Sequence, residues 1–136
     1  MEAIAAQLRR FAESRARRAD MTATVHAEGD RYAVLPSAHA LQLYRIGEEA
    51  VQNAVKHSGA CTISVRVIAR DGHAAVVVRD DGVFRPPVTV AGDGAPSGFG
   101  MRTMRERAAA LDGSLDVDTR EGTVVQVRAP LVGRAD

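Results

Sequence analysis

The chain reads as an α+β fold, a two-layer sandwich with helices on one face of a mixed, mostly antiparallel sheet. Strand-like runs come in hairpin pairs, 61–70 with 73–79 and 114–118 with 123–129. Helical stretches lie before and between those pairs. Paired strands separated by helices are best buried as a single sheet covered on one side.

Taken in order, residues 2–18 carry Ile4, Leu8, Phe11 and Ala12 at helical spacing, with a basic stretch beside them that reads as the solvated face. Residues 21–27 alternate and are β-branched, and Glu28-Gly29-Asp30 closes that strand. Pro36-Ser37 opens a long helix that runs to about His57 and stops at Ser58-Gly59. Asp71-Gly72 is a tight hairpin turn between the strands 61–70 and 73–79. Between Asp80 and Gly100 the text fills with glycine and proline, and so long an irregular segment is usually functional or disordered. A helix is predicted over about 101–111, ended by Asp112-Gly113. The last two strands flank the turn around Glu121-Gly122.

Length and composition limit the function. The 136 residues suit one domain with a real core, and 46% apolar content is ordinary for a globule. A net charge of +1 and 4% aromatics give no case for nucleic acid. One cysteine, Cys61, allows no internal disulfide and reads as a small buried side chain. No run approaches the roughly 18 apolar residues of a spanning helix. The chain therefore reads as cytosolic and soluble, with no direct membrane contact.

Three groups of residues could do chemistry. Glu49, Asn53 and His57 repeat at i, i+4, i+8, so they stack on one helix face with Lys56 beside them. That row borders the core stripe of Leu43, Ile46, Ala50 and Ala54. It is either a solvated face or a magnesium–phosphate site, with Asn53 as hard oxygen ligand, Lys56 for phosphate and Glu49 as base. Asp80 ends an apolar strand and is followed by Asp81-Gly82. It is either turn chemistry or a carboxylate accepting a hydrogen bond from an adenine amine. Ser97-Gly98-Phe99-Gly100-Met101 before a helix is either a linker or a phosphate cradle.

Together and in this order, the three groups resemble the GHKL ATPase superfamily. Leu43-Tyr-Arg-Ile-Gly-Glu-Glu-Ala-Val-Gln-Asn-Ala-Val-Lys-His-Ser-Gly-Ala60 is similar to the N box of NarL- and DesK-like sensor histidine kinases. Gly98-Phe-Gly-Met-Arg-Thr-Met-Arg-Glu-Arg-Ala-Ala-Ala-Leu-Asp-Gly113 resembles their second glycine box. Gly122-Thr-Val-Val-Gln-Val-Arg-Ala-Pro130 resembles their closing strand. The resemblance spans about residues 20–130.

It implies the Bergerat ATP-binding fold over 20–132, with 1–19 as a helical tail after a missing dimerisation and phosphoacceptor domain. ATP and Mg²⁺ are the implied cofactors. Asn53 would hold the metal, and Lys56 or His57 would touch phosphate. Glu49 would be the catalytic base or would polarise the acceptor histidine. Asp80 would bind the adenine amine with support from Thr123, and Gly82 would let the turn approach the base. Gly98, Gly100 and Met101 would line the nucleotide, and about 84–97 would form a lid. The reaction implied is transfer of the γ-phosphoryl group to a histidine on a separate domain, and a response regulator would be served by the full-length kinase. The resemblance also admits the cytosolic portion of a membrane-bound sensor.

Two departures stand out. The family's first glycine box, Asp-x-Gly-x-Gly, here runs Asp80-Asp-Gly-Val-Phe84, without the second glycine. None of His26, His39, His57 or His73 sits in an acidic phosphoacceptor context. The alternatives are a degenerate nucleotide-binding regulatory module and a serine kinase of the anti-sigma-factor type.

Overall fold

Every described strand joins one sheet, and three helices are laid along its length. The computed structural model describes residues 2–30, 33–57, 62–82 and 95–131, with His57 and residues 95–101 described by their backbone alone. In chain order the elements are α1 (Glu2–Arg18), β1 (Thr22–Gly29), α2 (Ser37–His57), β2 (Thr62–Arg70), β3 (His73–Asp80), α3 (Ala95–Ala110), β4 (Ser114–Asp118) and β5 (Thr123–Pro130). The sheet order is β1-β2-β3-β5-β4. β1 and β2 are parallel, with α2 as the crossover between them, and the other three pairings are antiparallel. A two-layer α/β sandwich results, as the sequence predicts.

Turn chemistry sets the register. Asp71 and Gly72 have φ of 53° and 75°, the two left-handed positions of a tight hairpin turn, and pair Arg70 with His73. Helices α1 and α3 stop in the same way. Asp20 and Asp112 adopt left-handed φ of 59° and 57°. The next residue then bonds back five positions, from Met21 N–H to the Ala16 carbonyl at 2.8 Å and from Gly113 N–H to the Ala108 carbonyl at 2.9 Å. This is the Schellman stop, with aspartate where glycine is commoner. Asp118 closes the β4–β5 turn through Arg120, and the hydrogen-bonded guanidinium holds its carboxyl at about 2.

The core lies between one sheet face and the helices. Ile63, Val65 and Val67 of β2, Ala74, Val76 and Val78 of β3, and Val125, Val127 and Ala129 of β5 meet Leu43, Ile46, Ala50, Val51 and Ala54 of α2. Met104, Ala108 and Leu111 close one flank. Helix α1 shares this core through Ile4, Ala5, Leu8 and Ala12. Its fully buried Leu8 lies over Gly47, where a Cβ would come within 3.0 Å of both leucine methyls and 3.4 Å of Val76. Glycine in a helix interior costs about 1 kcal/mol against alanine, and here the loss admits a leucine side chain between two helices and the sheet.

One boundary differs from expectation. Helix α3 starts at Ala95, not near 101, so the end of the expected lid and the Gly98–Gly100 segment are helical. Pro96 falls in the first turn, where a fixed φ and a missing N–H are tolerated. Met104, Ala108 and Leu111 anchor the helix further along, and extending an existing helix avoids the cost of a new nucleus, although Gly98 and Gly100 each cost about 1 kcal/mol against alanine. Cys61, the Val83-Phe84 pair and the rest of the expected lid through 94 lie outside the described residues.

Leu8→Ala should lower unfolding free energy by about 2–5 kcal/mol in urea titration, because the void borders three elements. A loss under about 1 kcal/mol would show that α1 is only loosely attached.

Candidate functional site

The site begins with strand alternation. Ala74, Val76 and Val78 point into the core, so Asp80 faces the helix layer too. Its neighbours in register are Ile63 on β2 and Thr123 on β5. Asp80 is only 4% exposed, and its Oδ1 accepts a hydrogen bond from the Gly82 N–H at 2.9 Å. Thr123 is 8% exposed. Among the described residues nothing bonds its buried Oγ1. A buried hydroxyl without a partner costs about 1–3 kcal/mol, so such a group beside a buried carboxylate calls for an explanation.

Helix α2 brings the second group to the same end of the sheet. Its first half lies at the far end, where Gln42 accepts a hydrogen bond from Arg107 in the last turn of α3 at 2.8 Å. There α3 stops against β5, with the Cα of Gly113 set beside the Arg128 carbonyl and Ala129. Gly47 crosses Val76. Asn53 lies about 9 Å further along the helix axis. The helix ends at His57, five positions before Thr62, and Thr62 is held against Asp81. The second half of α2 therefore runs toward Asp80.

On that half, Glu49 and Asn53 are half-buried and Lys56 is exposed, beside the fully enclosed Ala50 and Ala54. This is the border position the helical spacing predicts. The His57 backbone ends the helix, and its side chain is outside the described residues.

The structure thus joins Asp80, Gly82 and Thr123 directly and sets Glu49, Asn53 and Lys56 on the helix that runs to them. Gly98, Gly100 and Met101 lie in the backbone of α3. The amides of its first turn have no intrahelical acceptor, which suits an anion. Sequence reasoning passed over Ile63, which flanks Asp80, and Thr62, which binds Asp81. Their signal was the β2–β3 register, readable from the Asp71-Gly72 turn. Among the described residues no group of three or more His, Cys, Asp or Glu side chains is placed to hold a metal by itself. A divalent cation here would draw its other ligands from phosphate and water, which is how magnesium is commonly held.

Residues 38–133 match the family described as histidine kinase-, DNA gyrase B-, and HSP90-like ATPase. The chain belongs to this GHKL family. Among curated proteins it is similar to the signal transduction histidine-protein kinase/phosphatase UhpB of Salmonella typhimurium, 33% identical over 96 residues, covering 71% of this chain and 18% of that protein. It is 36% identical over 96 residues to the nitrate/nitrite sensor protein NarX of Escherichia coli, covering 69% of this chain and 15% of the relative. The sensor histidine kinase DesK of Bacillus subtilis is 36% identical over 83 residues, 61% of this chain and 21% of that protein. The chain thus spans less than a quarter of the length of each of these relatives.

A blue-light activated histidine kinase of Erythrobacter litoralis superposes with a TM-score of 0.70 at 25% identity, over 94% of this chain and 45% of that one. The Acinetobacter baumannii histidine kinase AdeS superposes at 0.72 with 12% identity, over 97% of this chain and 65% of its own, a likeness of fold. As a GHKL domain of the sensor-kinase type, the chain is an ATP-binding domain. The described part of the molecule has no helix long and apolar enough to cross a membrane.

Thr123→Val should leave the stability of the nucleotide-free protein within about 0.5 kcal/mol or raise it, since an unpartnered hydroxyl is exchanged for a methyl. Calorimetry on the same variant should show ATP bound about three- to tenfold more weakly, as a direct or water-mediated contact is lost. A large loss of stability with unchanged ATP binding would place the hydroxyl's partner within the protein.

Proposed function

We propose that this domain binds ATP with Mg²⁺ and supplies the γ-phosphoryl group to a histidine on a separate dimerisation domain. One observation carries the reading: a buried carboxylate, Asp80, and a buried hydroxyl without a partner among the described residues, Thr123, sit side by side at the end of a sheet on which α2 converges. An adenine edge offers an amino donor to the carboxylate and a ring nitrogen that a hydroxyl, or a water it holds, can serve. A carboxylate built to receive an amine discriminates strongly against a base lacking it.

The remaining roles follow from placement. Asn53 would hold the metal through its neutral side-chain oxygen. Lys56, exposed at the end of α2, offers a mobile positive charge. His57 is the second phosphate contact proposed there. The chemistry that Mg²⁺ would supply when bound is neutralisation of phosphate charge. Glu49, one turn before Asn53, polarises the acceptor imidazole or takes its proton. The start of α3, ahead of Gly98 and Gly100, would offer phosphate oxygens the amides that lack a helical acceptor, and Gly98, Gly100 and Met101 would follow them along the nucleotide. Phosphoryl transfer asks the protein mainly for position and charge neutralisation, which these groups supply without a covalent intermediate.

The acceptor histidine would lie on a dimerisation domain of the same or a partner chain, and a separate response regulator would be served by the full-length kinase, with this domain on the cytoplasmic side. The short first glycine box favours a second reading, a nucleotide-binding regulatory module that keeps the fold without transfer.

Titrating ATP–Mg²⁺ calorimetrically should give heat with the parent chain. Binding should weaken about tenfold or more in Asp80→Asn, where an acceptor oxygen becomes a donor facing the amine. Asn53→Ala should weaken binding in the presence of Mg²⁺ and have less effect in EDTA. Adding the helical phosphoacceptor domain of a NarX-type kinase in trans should then yield acid-labile histidine phosphate. Binding without transfer would favour the regulatory module, and absence of binding would remove the nucleotide reading.

A further inference from the structure

Successive residues of a strand face opposite ways. Asp80 turns into the helix layer, whereas Asp81, just beyond β3, is exposed and meets Thr62, the exposed neighbour of the inward-facing Ile63. Asp81 is nevertheless tied at three points to one residue. Its N–H donates to the Thr62 carbonyl at 3.3 Å. Its Oδ1 accepts the Thr62 N–H at 3.1 Å, and its Oδ2 accepts the Thr62 hydroxyl at 3.0 Å. Charge-assisted bonds of this kind are stronger than neutral ones. Thr62 opens β2 directly after the link from α2.

The other side of β3 is held as closely. Gly122 has φ of 79°, and a Cβ there would come 2.3 Å from the Asp80 carbonyl oxygen. β5 therefore lies hard against the peptide that follows Asp80. With that peptide gripped from both sides, the Gly82 N–H falls on Asp80 Oδ1 and fixes the plane of the carboxylate. The second glycine of the family's Asp-x-Gly-x-Gly pattern is missing here, and the sequence continues as Val83-Phe84. The last described part of this turn is thus set by side-chain bonds to a neighbouring strand.

We propose that the Thr62–Asp81 clamp aims the Asp80 carboxylate at the adenine amine, so that Asp81 is a positioning residue for base selectivity that touches no nucleotide. The proposal rests on the adenine-nucleotide reading above. It assigns to the outer face of the sheet a part in recognition on the inner one, carried through the backbone.

The test compares ATP with inosine triphosphate, which lacks the amine, by calorimetry in the presence of Mg²⁺. The full chain is measured beside Asp81→Ala, Asp81→Asn and Thr62→Val, with thermal unfolding of each. Asp81→Ala should bind ATP about fivefold more weakly, the worth of one ordinary hydrogen bond, and inosine triphosphate with little change. The preference for ATP then shrinks. Asp81→Asn should restore it, because an amide oxygen still accepts the Thr62 N–H and the amide nitrogen donates to the hydroxyl. Thr62→Val removes one bond, leaves the buried core untouched, and should shift the same ratio by a smaller amount. It also serves as the reading if Asp81→Ala does not fold. An unchanged ratio in the folded variants, or an equal loss for both nucleotides, overturns the clamp. A parent chain that binds neither nucleotide overturns the nucleotide reading and the clamp together.

Discussion

One face of the sheet has to serve two purposes, and the molecule is organised around the point where they meet. Along β2, β3 and β5 every second side chain enters the same apolar layer. At the end of β3 and the start of β5 that face continues, but the side chains become a carboxylate and a hydroxyl. A carboxylate with so little contact with water is costly unless it is hydrogen-bonded. Gly82 supplies one donor from within the turn. The neighbouring threonine oxygen is left without a described partner, a feature suited to a ligand with a mixed donor and acceptor edge.

The helices make that end of the sheet reachable. Leu8 over Gly47 locks α1 to α2 and both to Val76, while α3 holds the opposite end through Arg107 and Gln42. With its middle clamped, α2 has one direction to run, and its polar border of Glu49, Asn53 and Lys56 arrives where β2 begins. Stability and site are therefore arranged along one helix. From Leu43 to Ala54 one stripe of it is spent on packing, and the border beside the later part of that stripe on charge.

Much of this was legible in the residues. The α2 limits, the Asp71-Gly72 turn and the β4–β5 pairing follow from caps, turn residues and alternation, signals that are local and strong. The direction in which Asp80 faces was less accessible. Ala74 to Val78 is apolar throughout, so hydropathy alone does not separate the two faces, and only the family resemblance favours the ligand reading of Asp80 over turn chemistry. At the start of α3 glycine and proline argue locally for a loop, whereas packing of Met104, Ala108 and Leu111 further along decides for helix. The bonds between Thr62 and Asp81 link residues 19 positions apart and leave no trace in composition. The roles proposed for Glu49, Asn53, Lys56 and His57 rest on the motif, and for the first three also on their placement along α2.

The most direct measurement is a crystal structure of the domain with a non-hydrolysable ATP analogue and Mg²⁺. The account predicts the adenine amine within hydrogen-bonding distance of Asp80, Thr123 Oγ1 bonded to the base or to a water on it, and the metal on Asn53. A nucleotide seated elsewhere would contradict it. The clearest such site would be the depression on the outer sheet face lined by Arg79, Asp118 and Arg120, with Asp80 and Thr123 left untouched.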